Sequence, residues 1–198
     1  MTTRLRPGWL LPTLLLSVSA SAAPVTYIGN LSGAAEEPPN ASPALGSAVV
    51  IFDLAAHTLQ VDVLFNGLVG ASTAAHIHCC TATPGTGTTG VATETPTFGG
   101  FPLGVSSGMY TMGYDTTLAS SWNPSFISAN GGNTAGAEAA FGAGLASGSA
   151  YLNIHSDAYP SGEIRSFLLQ PVPEPGSWAM LLLGIPAVLA RRRQQAQK

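Results

Sequence analysis

The chain has 198 residues, of which only 9% are charged, and a formal net charge of −3. Most of its basic residues lie at the two ends, so residues 23–172 hold nine acids against one base, Arg165, a net charge of minus eight. One base among nine acids cannot neutralise phosphates, which argues against nucleic-acid binding by charge, and with no G-x-x-x-x-G-K or H-E-x-x-H motif a phosphate-cradling loop and a zinc-protease helix lack support.

In chain order, residues 1–22 read as a secretory signal peptide. Arg4 and Arg6 precede an apolar run from Trp9 to Val18, and small residues ending Ala20-Ser21-Ala22 supply a cleavage site after Ala22. Beyond it, apolar residues alternate and are punctuated by Gly, Pro, Ser and Thr, the pattern of short antiparallel strands. Residues 58–65 are the clearest case, with Leu59, Val61, Val63 and Phe65 on one face and Gln60, Asp62 and Leu64 on the other. Similar strands are predicted over 25–29, 46–54, 74–80, 105–114, 149–155 and 162–169. Residues 81–104, rich in Gly, Pro and Thr, read as a long loop, and the alanines within 123–146 favour a short helical insertion. The whole is an all-β chain, an antiparallel sandwich or barrel over residues 23–170.

Candidate chemistry concentrates on two strands. Residues 75–80 read A-H-I-H-C-C, and residues two apart share a strand face, so His76, His78 and Cys80 lie together. The same count puts Tyr151, Asn153 and His155 on one face of a later strand. If these strands pair, His76, His78 and His155 come within reach of one ion, and neutral imidazoles in that number suit copper or zinc. The bland alternative is a hydrogen-bonded network in which Glu163 or Asp157 accepts from an imidazole and Arg165 pairs with Glu163. Both readings stay open at this level. Cys79 and Cys80 are the only cysteines, so outside the cytoplasm they form a vicinal disulfide or link chains; Cys80 as a thiolate ligand beside His78 is the second option.

The C-terminal residues 171–198 differ from the rest. Residues 176–190 form a 15-residue apolar run, which at about 1.5 Å per residue is short of a hydrocarbon core of about 30 Å, and Arg191, Arg192 and Arg193 follow it. With Pro173-Glu174-Pro175 ahead of it, this segment resembles the PEP-CTERM sorting signal. That resemblance implies processing by an exosortase-type enzyme, transient anchoring in the inner membrane, and export in a Gram-negative bacterium that makes extracellular polysaccharide.

A second resemblance rests on A-H-I-H at 75–78 with G-V-A at 90–92, and on Y-L-N-I-H-S-D-A-Y-P-S-G-E-I-R at 151–165. These segments resemble the two signatures of the CHRD domain, named for chordin, over about residues 25–169. The resemblance implies an extracellular β-sandwich of immunoglobulin-like or superoxide-dismutase-like Greek-key type, with no enzymatic activity attached. The H-x-H strand and distant third histidine also resemble the copper site of copper-zinc superoxide dismutases, but His57 is the only other histidine, too few for a zinc site and a bridge. The expected function is therefore an exported surface or matrix protein that binds extracellular polysaccharide or a surface protein and is not an enzyme. The alternative is a mononuclear copper or zinc protein, redox-active or metal-sequestering.

Overall fold

The structure is a computed structural model and describes residues 23–172. The expected signal peptide and, in the expected sorting segment, Pro173, Glu174, Pro175, Arg191, Arg192 and Arg193 lie outside the described residues. Seven strands follow in chain order: β1 (Val25–Ser32), β2 (Leu45–Asp53), β3 (Thr58–Asn66), β4 (Ser72–His78), β5 (Gly108–Asp115), β6 (Tyr151–Ser156) and β7 (Ile164–Phe167). Two helices, α1 (Pro124–Ala129) and α2 (Thr134–Ser147), lie between β5 and β6.

The strands form one antiparallel sheet in the order β4-β6-β7-β1-β2-β3-β5. The meander β1-β2-β3 follows from the strict alternation in β3. There Leu59, Val61, Val63 and Phe65 are all buried, while Leu64 is exposed. Such alternation fixes register, because a one-residue slip would turn every apolar side chain to water. The sheet curls, and its two edges are tied near one end. Gly104 N donates to Ser72 O at 2.8 Å, Ser72 N to Val105 O at 2.9 Å and Leu68 N to Ser106 O at 2.9 Å, so the chain leading into β5 hydrogen-bonds to the chain leading into β4. The all-β antiparallel fold expected from the sequence is thus present, as a seven-stranded sheet that curls around its own core.

Inside the roll, Ala75 and Ile77 of β4 and Leu152 and Ile154 of β6 are completely buried. The helices close the insertion over this core. Asn133 caps α2, its side chain accepting from Gly136 N at 2.8 Å, and Gly148 ends the helix in the left-handed region at φ 70°, where glycine has no side-chain penalty. Phe141 of α2 packs edge-on against Phe52 and Trp122, with ring centroids 5.8 and 5.3 Å apart. Among the described residues no helix is long and apolar enough to cross a membrane.

A serine-centred spacing also occurs in the chain, Gly104-Val105-Ser106-Ser107-Gly108. The structure places it in the extended approach to β5 and not at a strand-to-helix turn, so Ser106 lacks the setting of a hydrolase nucleophile. Ser107 Oγ instead donates to Asn66 Oδ1 at 2.8 Å and locks the two strand ends together.

Candidate metal centre

β4 and β6 are hydrogen-bonded neighbours, with Ala74 opposite His155, His76 opposite Asn153 and His78 opposite Tyr151. Directly opposed residues share a face, so the register places all three imidazoles on the side away from the core. Ile77 and Ile154, on the other side, pin both strands to the interior. Residues 90–98 run along the edge of β4 away from β6: Ala92 N donates to Ile77 O at 2.9 Å, Phe98 N to Ala75 O at 3.1 Å, and His78 bridges to Val91.

The ring centroids of His76 and His155 are 5.3 Å apart, those of His76 and His78 5.9 Å, and those of His78 and His155 6.2 Å. One nitrogen from each ring lies within 4.8 Å of the other two. Each ring also has a fixed tautomer. His76 Nε2 lies 2.5 Å from Pro96 O, His78 Nδ1 2.8 Å from Thr89 O and His155 Nδ1 3.0 Å from Pro160 O. A carbonyl oxygen only accepts, so each of those nitrogens carries the proton. The remaining nitrogens, His76 Nδ1, His78 Nε2 and His155 Nε2, are bare lone pairs, and all three are buried without a hydrogen-bond partner.

Burial keeps these rings neutral. It pushes the His78 imidazole from 6.5 down to about 4 against the opposing pull of the Thr89 carbonyl, and it lowers His76 and His155 in the same direction. Tyr151 stacks flat on His78, centroids 4.7 Å apart, and fixes its plane. Three orphaned acceptors converging on one point cost about 1–3 kcal/mol each when nothing binds them. A polar network would supply donors to those atoms, whereas a cation needs the lone pairs free.

The histidines take other partners than the sequence predicts. Neither Glu163 nor Asp157 accepts from an imidazole; backbone carbonyls do. Glu163 Oε1 accepts from Ser42 Oγ and Val69 N, both at 2.6 Å, and Asp157 Oδ1 accepts from Ala71 N at 2.9 Å. The expected Glu163–Arg165 ion pair does not form. Glu163 precedes β7 and turns to the β3–β4 connection, while Arg165 donates to Ala35 O at 2.5 Å and Gly87 O at 3.1 Å and lies 3.7 Å from Glu37 Oε2. Each buried charge finds its several partners on a different segment, which side chains two apart on one strand could not provide.

Cys80 does not join the histidines either. Cys79 and Cys80 form a disulfide just beyond the end of β4, and its sulfurs lie against Gly144 of α2, where no Cβ would fit. Sequence reasoning missed the carbonyls of Thr89, Pro96 and Pro160 because backbone oxygens carry no residue-type signature. It also missed Glu36, which precedes β2 in a turn. Burial raises its carboxyl to about 7 despite the nearby Arg165, and its Oε1 is buried unpartnered, as is Asn153 Oδ1.

The fold is an all-β domain in which β4 and β6 bring three imidazoles together. The family model for the CHRD domain matches residues 27–168, and the chain belongs to that family. No curated protein and no solved structure matches the chain.

Proposed function

We propose that the domain is an exported metal-binding protein that holds one transition-metal ion between His76 Nδ1, His78 Nε2 and His155 Nε2. The single observation carrying this reading is that three buried imidazole nitrogens, each with its partner nitrogen already committed to a carbonyl, converge without a hydrogen-bond donor. Nitrogen donors of this kind suit copper and zinc. The role is binding: the ion is carried, sequestered or used to fix residues 81–104 beside β4. Membership of a family of extracellular type, the acidic surface and the two terminal segments support export through an exosortase-type route. Metal binding stands ahead of matrix binding because the three nitrogens specify a ligand class, whereas an acidic surface does not.

The test is the metal content of the purified chain after exposure to copper and to zinc, with His76→Ala and His155→Ala alongside. One equivalent in the parent, lost in both variants while tryptophan fluorescence reports an intact fold, supports the reading. A folded parent that takes up neither metal removes it.

A further inference from the structure

The cluster also constrains which ion it takes and in which valence. All three donors are neutral, and no carboxylate or thiol belongs to the group they form. Cys80, the thiol on the same strand face in the sequence, is held in the disulfide with Cys79. The buried positive charge of the region, Arg165, lies over the Tyr151 ring at 4.9 Å, and that ring stacks on His78. Glu37 Oε2 lies 3.7 Å from the guanidinium, and among the described residues no carboxylate joins the three imidazoles. The bare nitrogens are buried, and among the described residues no fourth protein donor joins them.

The cost of burying an ion grows with the square of its charge, so a dication without a counter-charge costs four times what a monocation does in the same site. Zinc(II) favours four donors, and copper(II) a tetragonal set. Alkali cations take oxygen ligands, which this cluster lacks. A filled-shell monocation that accepts three nitrogen donors in a plane meets every condition. We infer that the site selects copper in its cuprous state, held by His76, His78 and His155 with no fourth ligand; this inference rests on the metal-binding reading above.

The test is competition for each ion separately, with the purified full chain and a chromophoric chelator. Copper(I) is handled anaerobically with ascorbate, which leaves the disulfide intact. Copper(II) and zinc(II) are titrated in air. The expected result is one equivalent of copper(I), bound about 100-fold or more tighter than zinc(II) and copper(II), with an absorption edge characteristic of three-coordinate copper and no electron paramagnetic resonance signal. His155→Ala, and His155→Asn should the alanine variant unfold, weakens copper(I) by about 100-fold or more. Zinc(II) or copper(II) bound as tightly as copper(I) overturns the cuprous inference and leaves the metal-binding reading standing. No uptake of any of the three overturns both.

Discussion

Replacing Glu36 by Gln tests how burial acts on the polar cluster beside the three histidines. Burial raises the Glu36 carboxyl from 4.5 to about 7 in the fold. Such a shift corresponds to about 3 kcal/mol. Because the folded value lies above the unfolded one, the contribution to stability is fully present below pH 4.5 and is lost as pH rises through 7. His78 works in the opposite direction. Its folded value of about 4 lies below the unfolded 6.5, so stability is retained above 6.5 and is lost as pH falls toward 4. The size is again about 3 kcal/mol. His76 and His155 add to the acid-side loss. In the metal-free parent, the gain from Glu36 on acidification offsets much of the loss from the histidines, and the pH dependence is shallow. Glu36→Gln removes the offset. The variant is expected to exceed the parent at about pH 8 by up to about 3 kcal/mol, and to lose stability more steeply toward about pH 5. Urea unfolding with a chelator present, followed by the fluorescence of buried Trp122, measures both. Equal urea midpoints for parent and variant at every pH would refute the reasoning.

Further expectations follow from the same contacts. Copper(I) at about 100 times its dissociation constant should raise unfolding stability by about 2.7 kcal/mol, read from the shift in urea midpoint, and His78→Ala should show no shift. Gly144→Ala places a Cβ against the Cys79–Cys80 sulfurs and should cost about 1–3 kcal/mol in thermal unfolding; an unchanged midpoint would mean α2 does not rest on the disulfide. A double-mutant cycle of Arg165→Gln with Glu163→Gln should give a coupling below about 0.5 kcal/mol, as for residues without a shared partner. The cycle with Glu37→Gln should give a favourable coupling of up to about 1 kcal/mol, limited by the exposure of Glu37. The reverse order would restore the pairing expected from the sequence.

How much was legible in the sequence differs from element to element. β3 was legible almost to the residue, because Leu59, Val61, Val63 and Phe65 alternate without interruption. The two histidine strands were legible as strands, and their period of two gave the correct face for His76, His78 and His155. That the strands are neighbours follows from the register of β4 on β6, a long-range pairing that local alternation does not specify. β4 stops at His78, short of the expected residue 80, because the chain leaves the ladder at the Cys79–Cys80 disulfide. The Glu163–Arg165 expectation failed because closeness in sequence stood in for closeness in space. Both side chains are satisfied by groups at least 70 residues away along the chain, Ser42, Val69, Ala35 and Gly87. Residues 81–104 were recognised as a loop, but their carbonyls, which orient two of the three imidazoles, leave no trace in residue type.

The most direct measurement is a crystal of the copper-loaded chain with diffraction data collected at the copper absorption edge. One anomalous peak is expected, centred between His76 Nδ1, His78 Nε2 and His155 Nε2 at about 2.0 Å from each. An electron-density map with those three rings in place and no peak between them, or a peak at other residues, would contradict it.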